Sequence, residues 1–359
     1  MATFPLPPGS TLGILGGGQL GRMLALAAAR LGFDVAILEP EPGSPAARVA
    51  AHAIVGDYDD PACLQALARL ASVVTYEFEN VPAAAVLQLQ ALGVEVAPGP
   101  EALAVAQDRV AEKQFLNASG APTVAFTAAD TPAEATAAVL AMGGPLLMKT
   151  RREGYDGKGQ RWVEHAADAA ATFEALGGVP VILEAPAEFV RELSIIAARG
   201  RDGATAIYPL AENHHESGIL RRSLAPALVS SDLADQAERI AARVLSGLGY
   251  VGVIGIELFE LRDGRLLVNE IAPRVHNTGH WTQDGCEVDQ FEQHIRAVAG
   301  WPLGPTVPHA RVEMLNLLGD EADAWAKLAH EPETRLHLYG KRAAKPGRKM
   351  GHVNKLKPL

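Results

Sequence analysis

The chain is poor in cysteine and in aromatic residues, and both shortages restrict what it can be. Cys63 and Cys286 are the only cysteines among 359 residues. They are too few for a disulfide framework or a cysteine-based metal site, and such sparse usage is typical of a reducing compartment. Aromatic residues make up 5% of the sequence, so aliphatic side chains must fill most of the core.

Long hydrophobic runs and an excess of positive charge are also missing. No uncharged apolar stretch approaches the ~20 residues of a membrane helix. The first ten residues lack the positive charge and the apolar segment of a signal peptide. We therefore expect a soluble, cytoplasmic protein with no membrane partner. The formal net charge of −10 argues against nucleic acid as a partner, although a local basic pocket can still hold a small anion.

The order of patterns along the chain predicts two or three domains. From residue 11 to about 100, short apolar runs alternate with helical patterns, as in an α/β unit with a parallel sheet. A second unit, from about 121 to 191, combines short strands, the first at 123–126, with helices near 132–142 and 166–176. From about 192 the pattern is rich in strands around a long helix at 232–248, and it ends in a basic tail.

A glycine-rich turn follows the first predicted strand. Gly16-x-Gly18-x-x-Gly21 precedes a helical pattern, and Glu39 ends the next apolar run, where a dinucleotide-binding fold carries its ribose-binding acid. A single match of this motif is weak, and no second mononucleotide-binding half is evident. An NAD-dependent oxidoreductase therefore stays open as an alternative.

A second glycine-rich loop follows Lys149, which ends an apolar strand. The segment REGYDGKGQ brings several glycines and Lys158 together, and such a loop lets backbone N–H groups and an ammonium approach phosphate oxygens. It does not match the common phosphate-binding loop, because no Ser or Thr follows the lysine. Phosphate binding and an ordinary hairpin turn both remain open at this point.

A predicted hairpin places two glutamates opposite each other. Asp263-Gly264 is a two-residue turn signal between apolar runs, and with that turn Arg262 faces Arg265 and Glu257 faces Glu270. Opposed carboxylates repel each other, which favours a cation between them. Magnesium commonly takes one or two carboxylates together with substrate phosphates. A bulge that breaks the register, or a glutamate exposed at a strand end, is the alternative, and an ideal strand would point Asn269 to the other face.

A loop rich in hydrogen-bond donors comes directly after this hairpin. It carries Arg274, His276, Asn277, Thr278 and His280 within seven positions. Such a loop is suited to hold an anion or a reacting group. A metal site made by the two histidines is the weaker interpretation, because they are not on a helix that would set their spacing.

Four segments, in this order along one chain, resemble the 5-(carboxyamino)imidazole ribonucleotide synthetases, an ATP-grasp family of purine biosynthesis. They are TYEFENVP, KTRREGYDGKGQ, IELF…VNEIAPRVHNTGHWT and HLYGKRAAKPGRKMGHVN, within a match from about residue 12 to 354. The chain departs from the family at Glu153, where Gly is common. It also departs at Val275 and Thr278, where Pro and Ser are usual.

The resemblance implies an ATP-grasp fold of mixed α/β and α+β type with an N-terminal Rossmann-like (pre-ATP-grasp) domain. It implies this first domain over 1–120, a small ATP-grasp lid domain over 121–191, and a large ATP-grasp domain over 192–359 with the basic substrate-binding tail. It further implies a homodimer. The implied ligase reaction carboxylates 5-aminoimidazole ribonucleotide with bicarbonate through carboxyphosphate, using ATP and Mg²⁺ and releasing ADP and phosphate.

Site residues follow from the resemblance by matched position. The implied nucleotide contacts are Arg109, Lys149, Gly154, Tyr155, Asp156, Gly157, Lys158, Gly159, Gln160, Glu184, Ala185, Pro186, Ala187, Glu192, His215, Asn269 and Glu270. The implied magnesium ligands are Glu257 and Glu270, and the implied catalytic residues are Arg274, His276 and Lys149. The implied ribonucleotide contacts are Gly18, Gln19, Glu77, Tyr155, Asp156, Arg274, His276, Asn277, Thr278, Lys341 and Arg348.

Some choices stay open beside this interpretation. His214 adjoins His215, and either could be the nucleotide contact. For the basic tail, a solvated surface or a nucleic-acid patch competes with binding of the ribonucleotide 5′-phosphate by Lys341 and Arg348. Alternative functions are another ATP-grasp ligase, such as a formate-dependent glycinamide ribonucleotide transformylase, and a non-enzymatic ATP-binding module.

Overall fold

The computed structural model describes residues 2–154 and 159–359, and its first sheet belongs to an α/β unit. The strands of this sheet are β1 (Thr11–Leu15), β2 (Asp34–Glu39), β3 (His52–Val55), β4 (Val73–Tyr76) and β5 (Glu95–Val96). The helices of this part are α1 (Gln19–Arg30), α2 (Pro61–Leu70), α3 (Ala83–Ala91), α4 (Pro100–Ala106) and α5 (Arg109–Ala118). The strands are parallel in the order β3-β2-β1-β4-β5. Helix cover on both faces explains why β1 and β2 are almost continuously apolar.

The second sheet is small and antiparallel. Its strands are β6 (Phe126–Ala129), β7 (Leu146–Thr150), β8 (Gln160–Val163) and β9 (Val181–Glu184), in the order β6-β9-β7-β8. Helices α6 (Pro132–Met142) and α7 (Ala166–Ala175) share its hydrophobic core. The strand expected at 123–126 begins only at Phe126, because the side chain of Asn117 accepts from Thr123 N and Val268 N donates to Pro122 O.

The third sheet is large and antiparallel. Its strands are β10 (Phe189–Arg199), β11 (Thr205–Ile207), β12 (Ala211–Glu216), β13 (Ile219–Ala225), β14 (Gly252–Leu261), β15 (Leu266–Ala272), β16 (Arg311–Leu318), β17 (Thr334–Leu338) and β18 (Lys349–Lys357). Its main path is β15-β14-β10-β12-β13-β16-β18-β17, and β11 pairs with β10. The associated helices are α8 (Ser231–Gly247), α9 (Thr282–Gly285), α10 (Gln290–Ala299) and α11 (Trp325–Ala329), with 3₁₀ turns at Asn277–Gly279 and Gly319–Ala324.

One hydrophobic core joins the first and third sheets. Leu24 of α1 and Ile295 of α10 belong to the same cluster of buried residues, and Arg30 pairs with Glu292 at 3.1 Å beside it. The small sheet has a separate core. Among its contacts with the rest of the protein, Arg151 after β7 pairs with Asp108 before α5 at 2.8 Å. The domain boundaries at 120 and 191 stay predictions, and the third sheet already begins at Phe189.

The hairpin of β14 and β15 corrects the predicted turn. Leu261 N donates to Arg265 O at 2.9 Å, so three residues rather than two form the turn, and Arg262 does not face Arg265. Gly264, with a φ of +79°, supplies the left-handed residue that closes a three-residue hairpin loop. A β-bulge between Glu257 and Leu258 then shifts the register by one residue in the opposite direction. The two shifts cancel, and Glu257 faces Glu270 as predicted.

Candidate active site

A cavity of about 650 Å³ opens between the three sheets, and it collects most of the predicted site residues. Each of the three parts of the chain contributes to its wall. The predicted residues that line it are Gln19, Glu77, Arg109, Lys149, Gly154, Gln160, Glu192, His215, Glu257, Asn269, Glu270, Arg274, His276 and Asn277.

A smaller cavity of about 230 Å³ adjoins the first one. Gln19 and Glu77 line both cavities, and Gly18 lines the smaller one. Lys341 and Arg348 reach this cavity from the C-terminal end of the chain. The basic tail and the N-terminal glycine turn therefore meet in space, although more than three hundred positions separate them in the sequence.

Six described residues from the predicted set do not line either cavity. Glu184 is buried behind Lys149, and Thr278 is buried beneath His276. The others are partly or largely exposed, and they are Gly159, Ala185, Pro186 and Ala187. Tyr155, Asp156, Gly157 and Lys158 lie outside the described residues.

The N-terminal glycine turn already uses its backbone donors within the protein. Gly17 N donates to Glu39 at 2.6 Å, Gly21 N donates to Glu77 at 2.5 Å, and Gly18 N donates to the other oxygen of Glu77. These are the groups that a dinucleotide-binding turn offers to a pyrophosphate. Glu39 also accepts from the hydroxyl of Tyr58 at 2.7 Å, so its carboxylate is engaged as well. The geometry therefore disfavours the NAD-binding alternative.

The facing carboxylates of Glu257 and Glu270 fit a magnesium ion. Burial and the neighbouring Glu270 raise the pKa of Glu257 to about 7. The bulge also turns the Asn269 side chain to hydrogen-bond Glu257, against the expectation that it points away. Within the described ranges, no three His, Cys, Asp or Glu side chains converge as a complete metal site. This partial set of hard oxygen donors suits magnesium, which completes its shell with phosphates and water.

His276 is held as a neutral imidazole at the wall of the cavity. Burial, followed by the nearby Arg274, lowers the pKa of His276 to about 3. Its Nδ1 is 2.8 Å from the Thr278 hydroxyl, and its Nε2 is 3.7 Å from Glu257. Gly255 makes room for it, since a Cβ there would lie 2.6 Å from the His276 side chain.

His280 does not act with His276 as a metal-binding pair. Its Nδ1 is 3.1 Å from the side-chain nitrogen of Gln290, and its ring stacks on His352 with centroids 4.6 Å apart. Burial lowers the pKa of His280 well below its usual value. The structure thus uses His280 as a packed and hydrogen-bonded residue, and the two-histidine metal interpretation has no geometric support.

Arg274 has a partner that the sequence patterns did not reveal. Its guanidinium donates to both carboxylate oxygens of Glu79, with one distance of 2.9 Å. Although burial opposes it, this pairing lowers the pKa of Glu79 to about 2. The available signal was the segment TYEFENVP, which carries Glu79 two residues after Glu77 in the turn that follows β4.

His215, and not His214, faces the large cavity. His215 lines it and hydrogen-bonds Glu192. Although burial opposes protonation, the Glu192 bond raises the pKa of His215. His214 pairs instead with Glu212 at 3.2 Å. The two histidines are consecutive residues of β12, so their side chains point to opposite faces of the sheet and meet different partners.

The smaller cavity contains one buried group that the sequence did not single out. Ser44 is only 2% exposed, and its hydroxyl has no hydrogen-bond partner among the described residues. It lies against Gly17, where any Cβ would overlap it. The backbone around the cavity is held by Arg48, which donates to Gly340 O, and Arg348 donates to Ala343 O at 3.0 Å. Ser44 thus lines the smaller cavity together with the two cations.

Three family models match the chain in succession, and they define its class. A ribonucleotide synthetase preATP-grasp domain matches residues 10–107, and an ATP-grasp domain matches residues 114–291. A phosphoribosylaminoimidazole carboxylase C-terminal domain matches residues 313–358. The fold is thus that of an ATP-grasp ligase with an N-terminal preATP-grasp domain, as the sequence predicted.

The chain belongs, more narrowly, to the N5-carboxyaminoimidazole ribonucleotide synthase family. It is 52% identical to that synthase of Brucella melitensis over 355 residues, which are 98% of each chain. An ADP complex of a synthetase of this name superimposes with a TM-score of 0.94 at 40% identity, covering 98% of this chain and 93% of the other. The Aspergillus clavatus synthase with ADP and 5-aminoimidazole ribonucleotide gives 0.91 at 33% identity, covering 98% and 95%.

Proposed function

We propose that this protein carboxylates 5-aminoimidazole ribonucleotide with bicarbonate at the expense of ATP. The products are N5-carboxyaminoimidazole ribonucleotide, ADP and phosphate. The observation that carries this proposal is the pair of adjoining cavities that share Gln19 and Glu77. One holds the facing carboxylates with the lysine and arginine suited to a nucleotide, and the other holds two cations and a buried hydroxyl suited to a phosphate monoester.

The nucleotide would lie in the large cavity with its phosphates near Lys149 and Arg109. Arg109 is 3.3 Å from Glu270 and donates to Gly154 O at 2.8 Å. It therefore links the loop after β7 to the carboxylate pair. Glu257, Glu270 and Asn269 would hold Mg²⁺, which when bound neutralises phosphate charge. Glu192 and His215 line the same cavity, and we assign them to the nucleoside part.

The first step joins bicarbonate to the γ-phosphorus. A bicarbonate oxygen attacks the phosphorus, the bond to the ADP oxygen breaks, and carboxyphosphate forms. Little covalent chemistry is required of the protein, so positioning and charge neutralisation carry the catalysis. Arg274, held by both oxygens of Glu79, offers a fixed guanidinium to the carboxyphosphate.

The second step joins the ribonucleotide amine to the carboxyl carbon. The N–C bond forms, the bond from carbon to the phosphate oxygen breaks, and the amine proton leaves with the departing phosphate. We assign the Thr278 hydroxyl as the donor to Nδ1, so that neutral His276 would carry its proton on Nε2 and donate to an anionic oxygen of the intermediate. Removing water from this region favours capture of the intermediate over hydrolysis.

The ribonucleotide would bridge the two cavities. Lys341, Arg348 and Ser44 would hold its 5′-phosphate in the smaller cavity, while Gln19 and Glu77 lie along the path into the larger one. The arginine fork can bind a phosphate through two parallel hydrogen bonds. The 5′-phosphate does not react, but holding it in the smaller cavity would position the amine of the same ribonucleotide at the reacting centre in the larger cavity.

The test is ADP release with the substrates supplied separately and together. Full ADP release should require Mg²⁺, bicarbonate and 5-aminoimidazole ribonucleotide in the same mixture, and the carboxylated ribonucleotide should form in equal amount. Release driven equally well by formate and glycinamide ribonucleotide would instead favour the transformylase alternative. A homodimer and a cytoplasmic location belong to the same proposal, and light scattering and cell fractionation test them. None of the helices among the described residues could cross a membrane.

A further inference from the structure

Lys113 is a buried lysine on α5 that the proposed mechanism does not use. It is 1% exposed, a burial that lysine shows almost only when it is paired. Its ammonium lies 3.3 Å from Glu184 Oε1 and donates to Asn269 O at 3.2 Å. Lys113 therefore contacts Glu184 at the end of β9 and Asn269 in the bulge of β15, next to the proposed magnesium ligand Glu270.

Glu184 is shared by two lysines. Its other oxygen, Oε2, lies 2.7 Å from the ammonium of Lys149. Burial opposes ionisation of Glu184, but Lys149 and Lys113 together lower its pKa below the usual value. Two ammonium groups thus neutralise one buried carboxylate, which is one more cation than the carboxylate needs.

This excess charge matters because Lys149 has a second proposed partner. Without Lys113, any movement of Lys149 toward a phosphate would leave the buried Glu184 carboxylate with neither of the cations that pair with it directly. An uncompensated buried charge is strongly unfavourable. With Lys113 in place, Glu184 keeps a counter-charge when Lys149 turns to the nucleotide.

We propose that Lys113 is a positioning residue that releases Lys149 from Glu184 for the nucleotide phosphates. The inference rests on the proposed function in one respect, the assignment of Lys149 to those phosphates. Lys113 does not touch the reacting atoms, and it acts through Glu184. Its bond to Asn269 O keeps its ammonium in place between the two strands.

The experiment is a double-mutant cycle of Lys113→Met and Glu184→Gln in the full-length protein. The readouts are the dissociation constant of ADP with Mg²⁺ by calorimetry and the KM values for ATP and the ribonucleotide. Lys113→Met should weaken ADP binding and raise the KM for ATP by at least about tenfold, with little change in the KM for the ribonucleotide. In the Glu184→Gln background the same substitution should change ADP binding by less than about twofold, since no buried carboxylate remains to be neutralised.

Two further variants separate this role from a structural one. Lys113→Arg keeps the positive charge and should recover most of the ADP affinity. Gln114→Met changes the exposed neighbour on the same helix and should leave ADP binding and the melting temperature unchanged. An undiminished effect of Lys113→Met in the Glu184→Gln background would overturn the proposal, as would equal rises in both KM values. The ADP measurement needs no carboxylation, so it remains valid if the proposed reaction is wrong.

Discussion

Replacing Arg348 by alanine tests the basic tail against the alternative that it is only a solvated surface. The side chain lines the smaller cavity with Lys341 and Ser44, opposite the Gly17–Gly18 turn. Its guanidinium donates a hydrogen bond to the carbonyl oxygen of Ala343 at 3.0 Å. The substitution removes the fork that we assign to the 5′-phosphate and leaves the carboxylate pair untouched.

The expected magnitude follows from the kind of contact that is lost. A hydrogen bond to a charged group is worth roughly 1.5–3 kcal/mol, or about one to two decades in affinity. Arg348 is partly exposed, and Lys341 remains, so the lower end of this range applies. We therefore expect the KM for the ribonucleotide to rise at least about tenfold, while the KM for ATP changes much less.

The assay is steady-state ADP release with each substrate varied in turn. Lys345→Ala is the matched control, because Lys345 is an exposed cation on the same loop that does not line the cavity. It should leave both KM values near those of the unchanged protein. Equal rises for both substrates in Arg348→Ala would indicate a folding or closure defect. An unchanged KM for the ribonucleotide would refute the phosphate assignment.

Glu257→Gln should abolish ADP release, and without Mg²⁺ it should raise the melting temperature at pH 8 but not at pH 5. Burial and Glu270 raise the pKa of Glu257 from 4.5 to about 7, so its contribution to stability is lost as pH rises through this window. A shift of that size corresponds to at most ~3 kcal/mol at pH 8, and equal melting curves at pH 8 would contradict it. Ser44→Ala should raise the KM for the ribonucleotide by about fivefold, as expected for loss of one hydrogen bond, with the KM for ATP as the internal control. Calorimetry should detect no micromolar binding of NAD or NADP, because Glu39 and Glu77 occupy the donors of the glycine turn.

Periodicity and capping signals within short segments predicted the helices and strands that depend on those segments alone. The parallel β/α order of the first unit and the long helix α8 follow from apolar periodicity and capping residues. Strand β18 was hidden, because its sequence KMGHVNKLK is part of a run dominated by basic residues. It pairs with β16 and β17 on its two sides, and His352 in its middle stacks on the ring of His280. No local pattern reports such neighbours.

The carboxylate pair was predicted correctly although the turn was wrong. Counting outward from a two-residue turn placed Glu257 opposite Glu270, but the turn has three residues. The bulge that restores the pairing also brings Asn269 to the same side. Alternation along a strand has a period of two, so a single unpredicted residue inverts it. Counting residues outward from a turn predicts which strand residues face each other only where no bulge interrupts the hydrogen-bond ladder.

The sequence by itself determined the family, and it predicted most of the residues that line the two cavities, because short motifs in a specific order carry this information. Only the tertiary structure decided how those residues are paired. It placed Glu79 on Arg274, Glu77 and Glu39 on the glycine turn, and Lys113 beside Glu184. These contacts join residues far apart in sequence, and they depend on how the sheets pack. Burial makes each unpaired charge costly, so the packed structure, rather than any local pattern, selects the partners.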